Sequence, residues 1–558
     1  MSVHSILNHV LGEDLPRSLE VFAPELVLCA TVVLLLLWRM LDLHQRIPTC
    51  WVALFGSLVA FFGVFAQFMY LKTGGAGVGG LEFLFDQWRL TPSGVGEIGP
   101  YFTGLLVHDQ FAVFFRLVLT LFLVLVTALT ILTGIPDAED GQDFYTLLIG
   151  STVGMLMAVG ANHLLMLFLS IEMMSVPSYV MVAFQKGRKQ AGEASLKYVV
   201  YGAGIAGVML YGISLIAGLL GTANMPELGE RFAILMQGEF FSMSNTTALT
   251  LVLGMMMVLV GLAFKLSLVP FHFWCPDAFE GASAEVCGFL SVASKAAALA
   301  LLVRFVLAFQ GTHESLAQLG ILFGIALGTI SIITMTFGNL AAYSQTNLKR
   351  LLAYSTIAHA GYMVMAVSAM LVILNSPSSS VGVGQAATCI EGLMYYVAVY
   401  LFMNLSAFAI VALLRNETFR EDISSYRGII SGSAATKVLC VCLAISFFSL
   451  VGMPPFGGFF AKMMIFYSAL QAGHAHWFLW IVLGFGALNT VFSLFYYLNV
   501  LKAAFISEPE ADAAPVEVPG MAGAYVLLVT IPILALGMSS LQGDLTATAK
   551  YVAASLFQ

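Results

Sequence analysis

The chain alternates between long apolar runs and short polar turns. A helix needs about 20 predominantly apolar residues to cross a bilayer. On that rule about fourteen spans are predicted, starting near Pro24, Cys50, Gly104, Phe144, Asn162, Leu196, Ala248, Glu285, Leu316, Leu348, Thr388, Ala434, His476 and Gly520. The run 144–185 is too long for one span, and the polar turn Ala161-Asn162-His163 is where it is expected to split. The predicted fold class is an all-α polytopic membrane protein. Two runs carry their own helix breaks, at Pro270 and at Pro454-Pro455, the latter followed by Gly457-Gly458. Proline removes an N–H from the helix ladder and glycine weakens what remains.

Composition agrees with this pattern. Of 558 residues, 59% are apolar and 10% charged, with a mean hydropathy of +0.93. Soluble domains carry roughly 25% charged residues. The net charge of −8 says little about partners, because the charges lie mostly in loops. No basic patch with interleaved aromatics suggests nucleic acid. The seven cysteines show no CxxC, haem or zinc spacing, so no redox cofactor or metal is expected in this chain. The stretch GGAGVGG (74–80) does not join a strand to a helix and reads as a loop, not a phosphate cradle. The mixed-charge start before the first apolar run is not a typical signal peptide.

Against this background a few charges stand out. Lys197, Lys265, Lys295, Lys462 and Glu172 fall inside or at the edge of apolar runs. A charge at the bilayer centre costs at least ~2.5–3.5 kcal/mol, and such residues mark ion or proton paths or the pairs that hold them together. In FKLSLVPFHFWCPD (264–277), Lys265 is expected deep in its span, with the Leu266 carbonyl freed by Pro270 lying beside its ammonium. In SLVGMPPFGGFFAKMM (449–464), Lys462 follows Pro455 by about two turns. Lys295 and Glu172 are each expected near mid-span. Lys197 stands near the start of its span, where reaching for the headgroups competes with a path role. His359 suits a relay, because neutral imidazole both donates and accepts. His272, just after the Pro270 break, reads equally as structural or relay. Arg116 and Arg304 are read as structural. The physics of the set is that of a gated proton conductor: a carboxylate favours the charged form of a buried lysine, and its withdrawal lets the proton go.

Lys and Arg are unequally distributed between alternate connections. One side receives Arg39, Arg46, Lys186, Arg188, Lys189, Lys349, Arg350, Arg415, Arg420, Arg427, Lys437 and Lys502; the other receives Arg17, Lys72, Arg89, Arg231 and Lys550. The positive-inside rule puts the first side in the cytoplasm and both termini outside, with loops 72–103, 222–247 and 374–387 external. SLVPF (267–271) recurs as SLVGMPPF (449–456), and SYVMV (178–182) loosely as GYMVM (361–365). Blocks of five spans repeated in this way would be inverted in the membrane, a transporter architecture.

The stretch FKLSLVPFHFWCPDAFEGASAEVCGFLSVASKAA (264–298) resembles the most diagnostic segment of the antiporter-like subunit N family of the proton-pumping NADH–quinone oxidoreductase, respiratory complex I. SQTNLKRLLAYSTIAHAGY (344–362), EASLKYVVYGAGIAGVMLYG (193–212) and VGMPPFGGFFAKMMIFYSA (451–469) resemble it too. The resemblance implies fourteen helices and two inverted five-helix repeats with two discontinuous helices. The division it suggests is 1–143, three first helices; 144–310, first repeat; 311–505, second repeat; and 506–558, a loop and last helix. It implies that Glu172, Lys197, Lys265, Lys295 and Lys462 occupy proton-path positions, with His359 linking the half-channels. NADH, FMN, iron–sulfur clusters and quinone are implied for partner subunits, with no catalysis by the isolated chain. The implied partners are other membrane-arm subunits, including a neighbouring antiporter-like one, and lipids, in a bacterial cytoplasmic membrane. The sister L type carries a long lateral helix and the M type an acid where Lys462 stands, so N is favoured. Here GASAEV (281–286) replaces the usual GAPTPV. A subunit of a multisubunit cation/proton antiporter or membrane-bound hydrogenase remains an alternative, as does an assembly scaffold whose charges only hold helices together.

Overall fold

The computed structural model describes residues 10–73, 98–135, 140–236, 246–311, 313–376, 382–508 and 516–557. The GGAGVGG stretch, most of loop 72–103, and residues 237–245 and 377–381 of loops 222–247 and 374–387 lie outside the described residues. The described helices are α1 (Leu15–Val21), α2 (Ala23–Met40), α3 (Thr49–Thr73), α4 (Gln110–Thr133), α5 (Gly141–Val159), α6 (Leu164–Val182), α7 (Lys189–Leu220), α8 (Met225–Leu235), α9 (Thr246–Leu266) and α10 (Trp274–Gly281). There follow α11 (Ala284–Leu307), α12 (Glu314–Ala342), α13 (Leu348–Leu374), α14 (Gly382–Thr418), α15 (Ala434–Val451), α16 (Gly457–Ala475), α17 (Phe478–Phe505), α18 (Gly520–Ala535) and α19 (Ser539–Ser555). A short hairpin, β1 (Gly99–Tyr101) with β2 (Leu106–His108), precedes α4.

Twelve described helices are long and apolar enough to cross a membrane, and each corresponds to one of the expected spans. The other two expected spans are helical but fall outside the twelve. They are α5, of 19 residues, and the shorter apolar α18, of 16. The turn at 160–163 separates α5 from α6 as the sequence suggested. Its backbone is tied to neighbouring segments: Val107 N–H donates to Gly160 O at 2.8 Å, Asn162 N–H to Leu105 O at 3.0 Å, and Met225 N–H to Asn162 O at 3.0 Å. Part of loop 222–247 is the helix α8 rather than irregular chain.

The chain forms two compact units. The first comprises residues 1–181, 206–259 and 296–309; the second comprises 182–205, 260–295 and 310–558. Within the first, Arg116 Nη2 meets Glu25 Oε2 at 2.5 Å with both side chains buried, joining α4 to α2. Asp109 caps the start of α4 through Ala112 N–H and also binds Arg304 at 2.8 Å. Arg304 Nε donates to Val159 O, at the end of α5. Both arginines are thus structural ties, as their sequence positions suggested.

The second unit contains both helix breaks. After α9 the chain closes on itself through Ser267 N–H to Phe264 O at 2.9 Å and Leu268 N–H to Ala263 O at 2.8 Å. Val269 N–H donates to Thr334 Oγ1 at 3.1 Å. After α15, Gly452 adopts a φ of 90°, which glycine tolerates, and Gly458 N–H donates to Ser449 Oγ at 3.0 Å. The two half-helices α15 and α16 approach so closely that a Cβ at Gly458 would lie 1.9 Å from the Ser449 carbonyl oxygen. Gly458→Ala should therefore push the halves apart, at a cost of about 1–3 kcal/mol or more. A lowered thermal midpoint of the purified protein is the expected outcome, whereas an unchanged midpoint would contradict this close approach.

Candidate functional site

In the second unit, the buried lysines Lys265, Lys295 and Lys462 lie at the two breaks. Lys265 is the penultimate residue of α9, at the lip of the first break, and it is fully buried. Its Nζ donates to Tyr198 Oη at 3.3 Å. The Tyr198 ring stacks on Trp274 at 4.1 Å, and Trp274 Nε1 donates to Phe264 O at 2.9 Å. The freed Leu266 carbonyl, expected beside Lys265, instead accepts from Lys295 Nζ at 3.1 Å. The reason is direction. The C-terminal carbonyls of α9 point onward along its axis, where α11 presents Lys295. The second break repeats the arrangement. Lys462, on α16, donates from Nζ to Val451 O at 2.9 Å, the last carbonyl of α15. The negative end of a half-helix dipole favours an ammonium in both places.

Helix α13 links these two lysines. Thr356, His359 and Tyr362 are three residues apart and share one face. Lys295 Nζ also lies 3.4 Å from Thr356 O, and Lys462 Nζ stands 4.6 Å above the Tyr362 ring. His359 sits at the middle of this stripe, where Nδ1 and Tyr396 Oη share a hydrogen bond of 2.5 Å. Its ring also packs 5.1 Å from that of Tyr400, whose hydroxyl accepts from Asn404. All three basic side chains are nearly inaccessible, at 1%, 2% and 4% exposure for Lys295, His359 and Lys462. Such a row can hold a proton on nitrogen and pass it between nitrogens and hydroxyls, provided water or rotation closes the gaps.

The remaining candidates are Glu172, His272 and Lys197. Glu172 is in the middle of α6, half-buried, in the first unit. His272 is buried just past the first break, its ring edge-on to Phe337 at 4.5 Å. Lys197 is partly exposed in the third turn of α7, between Glu193 Oε1 at 2.8 Å and Asp277 Oδ2 at 2.9 Å. Among the described residues no three His, Cys, Asp or Glu side chains gather into a set that could hold a metal ion.

Sequence reasoning missed an ionic belt at the starts of α7, α10 and α13. Arg350 binds Asp277 at 2.8 Å and Glu280 at 2.5 Å. Lys349 is fully buried, donating to Glu421 at 2.9 Å and to Ala282 O at 2.5 Å. Glu421 also receives Arg188 at 3.4 Å and Arg415 at 3.1 Å. The Lys349-Arg350 pair signalled a loop edge, but which carboxylates it would meet is a matter of tertiary contact. Glu421 anchors a segment whose backbone is paired as well: Leu348 N–H donates to Glu421 O and Ile423 N–H to Thr346 O.

A sequence model of the family described as NADH:quinone oxidoreductase/Mrp antiporter, transmembrane, matches residues 161–492. NADH-quinone oxidoreductase subunit N of Anaeromyxobacter sp. strain Fw109-5 is 42% identical over 431 residues, covering 74% of this chain and 78% of that one. NADH-quinone oxidoreductase subunit N 2 of Sorangium cellulosum is 32% identical, covering 94% of this chain and 96% of that one. A chain in the structure of respiratory complex I from Thermus thermophilus with bound aureothin aligns at a TM-score of 0.67 and 25% identity, over 94% of this chain and 98% of that chain.

Burial alone would raise the Glu421 carboxyl, but Lys349, Arg188 and Arg415 outweigh it and hold it below the ordinary 4.5. A carboxyl depressed on folding contributes stability that is present above its unfolded value and lost as pH falls through its folded one. The segment 419–423 should therefore stay docked at neutral pH and loosen below 4.5. Amide exchange at Leu348 and Ile423, corrected for intrinsic rates, is the measurement. Glu421→Gln should already exchange fast at neutral pH, and wild-type protection that persists to about pH 2 would contradict the clamp.

Proposed function

Because the chain belongs to the NADH:quinone oxidoreductase/Mrp antiporter transmembrane family, we propose that it is the antiporter-like subunit N of a proton-translocating NADH–quinone oxidoreductase. The observation that carries this reading is the α13 stripe, where Lys295, His359 and Lys462 are held in order by Thr356, His359 itself and Tyr362. In this reading protons enter near Lys197, load Lys265, and pass along Lys295, His359 and Lys462. Ammonium and neutral amine are both reachable for a buried lysine, and imidazole bridges the two halves of the path. Glu172 on α6 belongs to the same path as the carboxylate that biases the loading of Lys265. His272 is a reserve relay beside the first break. The breaks at Pro270 and Pro454-Pro455 supply carbonyls that a continuous helix would not offer. Blocks 144–310 and 311–505 serve as the two inverted repeats, flanked by 1–143 and 506–558.

The redox chemistry belongs to partner subunits, which hold FMN, iron–sulfur clusters and quinone and oxidise NADH. This chain contributes proton movement and no redox group. Its neighbours are other membrane-arm subunits, one of them antiporter-like, and lipids, in a bacterial cytoplasmic membrane. Purification through a tag on this chain tests the assignment. Recovery of NADH-oxidising subunits supports it, and recovery of only antiporter or hydrogenase subunits would replace it.

Lys265→Ala is expected to leave the complex assembled and to lower proton pumping about 100-fold or more, the scale of losing one proton-transfer group. Lys265→Arg should also impair, since arginine does not readily deprotonate. Glu172→Gln should reduce turnover without unfolding, and its combination with Lys265→Ala should cost much less than the two losses added as free energies. Normal pumping by an assembled Lys265→Ala complex sinks the proton path; strict additivity separates the two residues.

Orientation follows the charge bias, with both termini outside. A cysteine placed within 415–427 should react only with reagents that reach the cytoplasm. Labelling of that segment from outside would reverse the orientation.

A further inference from the structure

Helix α10 is the second half of a broken helix, only 8 residues long, and something other than its own ladder must hold it. Trp274, Asp277 and Gly281 lie three and four residues apart and form one face of it. That face meets the start of α7 in antiparallel register. Trp274 stacks on Tyr198 with rings 3° from parallel, and Asp277 Oδ2 accepts from Lys197 at 2.9 Å. Gly281 presses on Ala194 so tightly that an added Cβ would lie 2.5 Å from the Ala194 Cβ. At the deep end of this seam Tyr198 Oη receives the Lys265 ammonium.

We propose that Asp277 is a positioning residue for the proton step at Lys265, seating α10 so that Trp274 holds the Tyr198 hydroxyl against the ammonium. The proposal rests on the proton-path reading of Lys265. The carboxylate suits the task because its two oxygens are divided between two helices. Oδ2 takes Lys197 from α7 and Oδ1 takes Arg350 from α13 at 2.8 Å. The charged groups around it are completed by Glu193, on Lys197 at 2.8 Å, and Glu280, on Arg350 at 2.5 Å. Asparagine keeps one of the Asp277 oxygens but puts an NH2 donor in place of the other, so it cannot accept Lys197 and Arg350 on opposite oxygens. Trp274 transmits the position inward, because its Nε1 is fixed to Phe264 O, one residue before Lys265, while its ring lies flat on Tyr198. Lys197 in this arrangement anchors the seam by its charge.

The test uses the whole complex in native membranes, with NADH-driven pumping expressed per assembled complex. Asp277→Asn should lower pumping about tenfold, the scale of a small misplacement of a reacting group. Asp277→Glu should restore at least half of it. In a Tyr198→Phe background, which keeps the ring and removes only the hydroxyl, Asp277→Asn should change the rate less than about twofold. Gly281→Ala disturbs the same seam without touching a charge. It should repeat the loss in the wild-type background and be silent with Tyr198→Phe, so the question stays open to test if Asp277→Asn assembles poorly. Wild-type pumping by Asp277→Asn, an Asp277→Glu variant no better than Asn, or undiminished losses in the Tyr198→Phe background would each overturn the proposal. Normal pumping by Lys265→Ala would instead overturn the reading beneath it.

Discussion

A helix that stops within hydrocarbon leaves its last carbonyls without water, and each must find a donor. In this protein two of those donors are lysine ammonium groups: Lys295 for Leu266 and Lys462 for Val451. The dependence is mutual. The carbonyl would be costly to bury alone, and so would the cation. Each break therefore holds its lysine, and each lysine helps hold its break. The small residues nearby follow from the same demand, since Gly452 turns the chain out of α15 and Gly458 lets α16 begin against Ser449.

The two breaks would be separate devices without α13. Its Thr356, His359 and Tyr362 give one backbone oxygen, one imidazole and one aromatic face at a three-residue spacing. Lys295 and Lys462 use the first and last of these, which leaves the imidazole in the middle with a tyrosine hydroxyl as partner. The helix is buried on nearly all sides, so the polar groups on this stripe act in a low-dielectric surround.

Charge at the margins is arranged differently. Glu421 and Asp277 each collect cations from separate elements, and all of these pairs are at least partly open or lie at helix ends. The belt locks loops and half-helices, while Lys295 and Lys462 bond to backbone carbonyls. In the first unit, Glu25–Arg116 and Asp109–Arg304 are ties between helices.

Hydrophobic run length, proline positions and isolated charges were readable along the chain. They determined an all-α membrane fold, the turn near residue 161, both breaks, and Lys265, Lys295, His359 and Lys462 as unusual residues. These are local properties: each depends on the cost of burying a group, which its neighbours in sequence already declare. Partner choice is not local. Only the tertiary structure decided that the Leu266 carbonyl goes to Lys295 rather than Lys265, because that depends on which helix lies beyond the end of α9. Likewise, nothing in the residues adjoining Asp277 and Glu421 marks them out. What distinguishes them is the convergence of cations from segments far apart in the chain, and loop paths alone do not specify such meetings.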